Sequence, residues 1–192
     1  MEMKAKRSVS AYRNIDLAFF AGILVLCETL ILKAAGTWFR DQLYTVSICG
    51  ALTAIVYMRW GIWGMLHAAL GGALTCLVLG GGPEQYLIYC GGNLLSALVL
   101  MVRKLAGPGR IRNNALASMG FGLLTLLLMQ SGRALVSLIL GYGFENATGF
   151  YATDALSLVF TAVVIWVARR LDGIFEDQRS YLVRINEEER KA

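Results

Sequence analysis

Charge is scarce in this chain: Asp, Glu, Lys and Arg make up 16% of its 192 residues, against roughly a quarter in an ordinary soluble domain. With 57% hydrophobic residues and a mean hydropathy of +0.58, a water-soluble globular body is excluded. Histidine occurs once, as His67, and a lone imidazole builds no metal site. Cys27, Cys49, Cys76 and Cys90 stand singly in apolar runs without CxxC spacing, which argues against both a metal centre and a disulfide framework. The motifs of nucleotide and metal chemistry are missing as well. There is no GxxxxGK[ST] loop, no HExxH and no calcium loop, and the run Gly80-Gly81-Gly82-Pro83 lacks the lysine and helix context of a phosphate cradle. The expectation is a protein that is not an enzyme, holds no cofactor and cannot hydrolyse ATP alone.

What is there in quantity is apolar sequence. Runs long enough to cross about 30 Å of hydrocarbon as helices lie at 14–35, 44–58, 61–80, 85–102, 115–140 and 150–168. The breaks between them are GTWFRDQ, MRWG, GGGPEQ, RKLAGPGRIRNN and GYGFENATG, rich in the residues that turn a chain. The fold class is therefore an all-α integral membrane protein with six transmembrane helices in one compact bundle, over residues 1–170. Residues 171–192 carry Leu171, Ile174, Phe175, Tyr181, Leu182 and Ile185 at approximate helical spacing among charges, and read as an amphipathic cytoplasmic C-terminal helix.

Orientation follows from lysine and arginine placement. The N-terminal arm, the second and fourth breaks and the tail hold 15 of the 18 basic residues, whereas the intervening breaks hold only Arg40. Both termini are expected in the cytoplasm of a multi-pass protein of the cell membrane. The net charge of +5 then reflects a basic surface against the anionic lipid bilayer, with no nucleic acid required. The first span follows MEMKAKR in the manner of a signal peptide, but no small-residue cleavage site follows it, so it is expected to stay attached.

Polar residues inside the spans form stripes. Gln130, Arg133 and Ser137 share a face of the fifth span, Asp154, Ser157 and Thr161 repeat that spacing in the sixth, and Gln85, Tyr89, Asn93 and Ser96 mark the fourth. Glu28 and Lys33 lie in the outer half of the first. Stripes from four spans thus meet at one depth below the outer surface, the pattern of a binding cavity open to the outside. Substrate-binding candidates are Arg133, Gln130, Asn93, Tyr89, Glu28, Lys33 and Asp154, because intramembrane ionisable residues are costly and tend to mark function. The alternative is that Glu28, Lys33, Arg133 and Asp154 neutralise one another as interhelical ion pairs. His67, among Gly61, Gly64, Gly71 and Gly72, reads as a packing or hydrogen-bonding residue. Trp60 and Trp63 read as interfacial anchors, and Trp38 and Phe39 as anchors or part of a lid.

Ala18-Phe-Phe-Ala-Gly22 in the first span is similar to the small-xxx-small motif by which S components of energy-coupling factor transporters meet their shared transmembrane T subunit. The glycine-rich stretch RWGIWGMLHAALGGALTCLVLGGGPEQYLIYCGGNLL resembles the third and fourth helices of that family. The resemblance implies a membrane-embedded substrate-binding subunit that captures a small water-soluble, vitamin-like micronutrient outside. A T subunit and two ATPases would then drive its uptake, with Ala18 and Gly22 as the partner-binding face. The alternative is a small six-helix envelope scaffold of the rod-shape MreD type.

Overall fold

The computed structural model describes residues 2–38 and 46–189, and every regular element among them is helical. Four stretches are long and apolar enough to cross a membrane: Val9–Thr37, Cys49–Leu79, Pro83–Ala106 and Ala115–Ile139. The pair Phe144–Thr153 and Ala155–Ala168, bent by 40° at its break, makes a fifth. Large apolar side chains such as Ile15, Phe19, Leu26, Leu77, Leu116, Ile139 and Val159 point out of the bundle. In lipid this outward apolar surface has no cost, because acyl chains solvate it as well as a neighbouring helix would. The protein is a multi-pass helical membrane protein.

Helix α1 (Glu2–Trp38) is followed by α2 (Cys49–Trp60) and α3 (Gly64–Leu79). These last two do not form one rod. A Cβ added to Gly71 would stand 2.0 Å from Cys49 Sγ, and one on Gly64 would stand 2.4 Å from the Tyr57 ring. The start of α2 therefore lies beside the middle of α3, and the end of α2 beside the start of α3. The chain reverses at Gly61, whose φ of 59° lies in the region that favours glycine. All 12 residues of α2 are buried. At about 1.5 Å per residue this helix is only about 18 Å long, so it works as an inner pillar, packed by α1, α3 and the later helices Ala115–Ile139 and Ala155–Ala168.

The next rod, Pro83–Ala106, is irregular: α4 (Pro83–Tyr86), a π-helical turn at Leu87–Gly91, a 3-10 stretch at Leu94–Leu98 and α5 (Val99–Ala106). After the short α6 (Pro108–Asn113) comes α7 (Ala115–Ile139), started by Asn114, whose side chain accepts a hydrogen bond from the Ala117 amide. The expected sixth span is broken at Asp154 into α8 (Phe144–Thr153) and α9 (Ala155–Ala168).

The tail differs from the expected helix beginning at 171. Residues 169–177 are turns, and α10 spans Gln178–Glu189. The cause is Gly173, with φ at +69°, which ends any helical run through this segment. The expected second span starts later than 44, at Cys49, and Phe39, Arg40 and the side chain of Trp38 lie outside the described residues.

Candidate functional site

Glycine contacts set the geometry of the polar cluster. A Cβ on Gly132 of α7 would lie 1.9 Å from the Gly92 carbonyl oxygen, and one on Gly92 would lie 2.6 Å from the Arg133 amide nitrogen. The two backbones therefore touch, which places Asn93 directly beside Arg133. On its other side the rod meets α3, where a Cβ on Gly72 would stand 2.6 Å from the Tyr89 carbonyl. This contact falls on the π turn, a distortion frequent at functional sites.

Arg133 is the hub. Its Nε donates to Asn93 Oδ1 at 2.8 Å, while Nη1 donates to Asp154 Oδ2 at 3.0 Å and to Gln130 Oε1 at 3.3 Å. Gln130 also donates from Nε2 to Asp154 Oδ2. The guanidinium carbon lies 4.7 Å from the centre of the Tyr89 ring, a cation–π distance, and that ring meets Phe150 of α8 edge-on at 5.9 Å. Asn93 Nδ2 closes the far side on the Ala68 carbonyl at 2.8 Å.

Glu28 sits alongside, near enough for the charges of Arg133 and Asp154 to act on it. It accepts from the Ser47 hydroxyl at 2.7 Å and from the Ile48 amide at 2.9 Å. Ser47 in turn accepts from the Cys49 amide on its Oγ, and its own amide donates to Ser157 of α9 at 3.0 Å. Glu28 and Ser47 thus satisfy the Ile48 and Cys49 amides at the start of α2, where a negative charge suits the positive end of the helix dipole.

Of the seven residues picked from sequence, Arg133, Gln130, Asn93, Tyr89 and Asp154 are in direct contact and Glu28 is adjacent. The cluster is closed: Glu28, Asn93, Gln130, Arg133 and Asp154 are each at most 7% exposed, so they bond to one another rather than line an open cleft. Lys33 stands exposed on α1, outside the cluster. Ala18 and Gly22 are exposed on the same helix, and nothing lies within 4 Å of a Cβ added to Gly22. His67 is buried, with Nε2 3.2 Å from the Leu17 carbonyl. Sequence reasoning overlooked Ser47, whose signal would have been its place just before the amides that open an apolar run. Comparison with known protein families, with curated proteins and with solved structures finds no match for the chain.

A second polar layer, also overlooked, lies at the other end of the bundle. Asp16 accepts from Arg59 Nη2 at 2.6 Å and Nε at 2.8 Å, and from Trp60 Nε1 at 2.6 Å. Arg59 Nη1 reaches on to the Gly173 and Ile174 carbonyls, the latter at 3.1 Å. Arg103 pairs with Asp177 at 2.5 Å, and Arg112 with Glu176 at 2.9 Å and Asp172 at 3.1 Å.

Proposed function

We propose that the chain is the substrate-binding subunit of an energy-coupling factor type importer, with six spans and both termini in the cytoplasm. In this reading the Arg133 cluster lies in the outer half of the membrane and the Arg59 layer at the inner surface. Counting α2 and α3 as separate legs and α8 with α9 as one broken span gives six passages.

The observation that carries the reading is a buried arginine at the meeting of several elements. Arg133 donates to Asn93, Gln130 and Asp154 and lies over the Tyr89 ring, beside a carboxylate held at a helix break. A buried ion pair stabilises a fold poorly compared with apolar packing, so its retention calls for a further use. A ligand carboxylate, phosphate or strong carbonyl acceptor would take the guanidinium face that Asp154 now shares, since arginine offers fixed paired donors. Asn93 and Gln130 would orient neutral polar groups, and Tyr89 with Phe150 would stack on an apolar or aromatic portion. The ligand class is a small, water-soluble, vitamin-like molecule with at least one anionic or strongly accepting group.

The test is mass spectrometry of small molecules retained by the protein purified in mild detergent, followed by titration of the parent, Arg133→Ala and Arg133→Lys. Losing a charge-assisted hydrogen bond to a buried partner costs about 1.5–3 kcal/mol, so Arg133→Ala should bind roughly tenfold to a hundredfold more weakly, with Arg133→Lys in between. Equal affinity of a folded Arg133→Ala would leave Arg133 as a structural ion-pair partner. That outcome favours the scaffold of the MreD type, which the closure of the cluster also fits.

A further inference from the structure

The segment Leu171-Asp-Gly-Ile-Phe-Glu-Asp-Gln178 closes the Arg59 end of the bundle, and it is folded mainly on itself. Gln178 donates from Nε2 to the Gly173 carbonyl at 2.8 Å and to the Glu176 carbonyl at 3.2 Å. Asp177 takes the Ser180 amide and hydroxyl at 3.1 and 2.9 Å. Arg184 reaches back from α10 to Asp172 and Glu176, both at 3.2 Å. Tyr181 lies against Gly173, where an added Cβ would come within 2.9 Å of its ring. Turn and helix α10 therefore form a hook, joined to α9 through the turn after Ala168.

Arginines on three separate elements grip this hook. Arg59 of α2 holds two of its carbonyls, Arg103 of α5 holds Asp177, and Arg112 of α6 holds Asp172 and Glu176. The main apolar anchor, Phe175, is buried edge-on against Phe121 of α7 with ring centres 6.2 Å apart, and Ile174 packs against the same core. Tyr12 of α1 adds a long bond to Gln178 at 3.4 Å. Apart from Arg59, the gripping charges are partly wet: Arg103 and Asp177 are 22% and 19% exposed, and Arg112 is 27% exposed. Wet pairs are weak individually and weaken further with salt.

We propose that residues 171–178 with α10 form a releasable strap that shuts this end of the bundle, held by the Arg59, Arg103 and Arg112 side chains and the Phe175 anchor. It opens as one body while the helices beneath stay folded. This stands independently of the importer reading, because it rests on the opposite polar layer.

The test is amide hydrogen exchange of the full chain in lipid nanodiscs, read by mass spectrometry. Arg103→Ala should speed exchange in peptides covering 171–178 by roughly threefold to fivefold, the range set by one partly exposed pair. The charge swap Arg103→Asp with Asp177→Arg should restore most of the protection. Phe175→Ala should speed the same peptides at least a hundredfold, as deleting a buried aromatic anchor does. In every case peptides from α2 and from the Asn93–Arg133 region should exchange as in the parent. Raising salt from 50 to 500 mM should speed strap exchange in the parent, and by less in Arg103→Ala, which lacks one of the screened pairs. The proposal is overturned if acceleration spreads equally into α2 and α7, which would make the segment part of the core, or if the strap peptides are unmoved by Arg103→Ala and salt. Should Phe175→Ala fail to fold, the charge swap and the salt series decide.

Discussion

The two polar layers of this protein are built from the same side-chain types and obey different rules. Both lie on α1 and α7, 12 residues apart as Asp16 is from Glu28 and Phe121 from Arg133, which at about 1.5 Å per residue separates them by about 18 Å. In the Arg133 layer the arginine pairs with one carboxylate, Asp154, and the other side chains it donates to, Asn93 and Gln130, are neutral. In the Arg59 layer the acidic residues are redundant: Asp172 and Glu176 are each met by both Arg112 and Arg184. Water reaches the Arg103 and Arg112 pairs of the second layer more than the Arg133–Asp154 pair of the first. The lesson is that an intramembrane charge is specified by its surroundings one bond at a time, whereas charges at the bundle end act as an exchangeable set.

Removing one partner from each layer exposes that difference most strongly. Asp154→Ala leaves Arg133 buried without its countercharge, and about 3–5 kcal/mol of stability should be lost. Arg112→Ala leaves Asp172 and Glu176 with Arg184, and the loss should stay below about 1 kcal/mol. Thermal unfolding of detergent-solubilised variants, compared at one salt concentration, reads both. The double variant Arg133→Met with Asp154→Leu should recover much of the Asp154→Ala loss, since apolar replacement of a whole buried pair is often neutral or better. Equal losses for Asp154→Ala and Arg112→Ala would remove the distinction between the layers.

The comparison sharpens at the glycines that bring the first layer together. Gly132→Ala drives a methyl group into the Gly92 carbonyl at 1.9 Å, a backbone atom that cannot swing aside. About 1–3 kcal/mol should be lost, and Asn93 should separate from Arg133. Gly120, on the same helix but with nothing within 4 Å of its added Cβ, is the control. Gly120→Ala should be neutral or stabilising by up to about 1 kcal/mol, the helix propensity difference. If both changes have the same effect in unfolding measurements, the close crossing of α7 and the Pro83–Ala106 rod does not hold the cluster.

How far the sequence speaks to this fold depends on which physical signal each element leaves. Apolar length and polar spacing were enough to bring Arg133, Gln130, Asn93, Tyr89 and Asp154 forward, because a polar residue in a greasy run is conspicuous. They were not enough to say that the cluster is closed, since closure depends on backbone contacts at Gly92 and Gly132 that spacing does not encode. Lys33 was indistinguishable from Glu28 by composition, and only the helix's rotation separates an exposed cation from a buried acid. The strap escaped notice for the opposite reason. Its residues pass for a solvated amphipathic helix, and only Gly173, with Asp172, Glu176 and Asp177 facing Arg59, Arg103 and Arg112 from distant sequence, distinguishes it.

Between the layers, on the stretch of α1 that joins Asp16 to Glu28, lies a face that belongs to neither. Ala18 and Gly22 are exposed one turn apart, flanked by the outward Ile15, Phe19 and Leu26, and a Cβ added at Gly22 would meet nothing within 4 Å among the described residues. Gly22→Leu should therefore leave unfolding unchanged or raise stability by up to about 1 kcal/mol, as a better helix former replaces glycine. If that face is a seat for a second membrane helix, as in the importer reading, the added bulk holds the two backbones apart, because small residues are what allow helices to approach closely in lipid. Co-expression with a T subunit and its ATPases, followed by purification on a tag carried by the T subunit, separates the cases. Loss of the chain from the purified complex with Gly22→Leu, at parental stability, marks the face as the seat. Full retention assigns it to lipid, and any coupling partner would then have to engage elsewhere, with the cationic seat of the strap the next surface to probe.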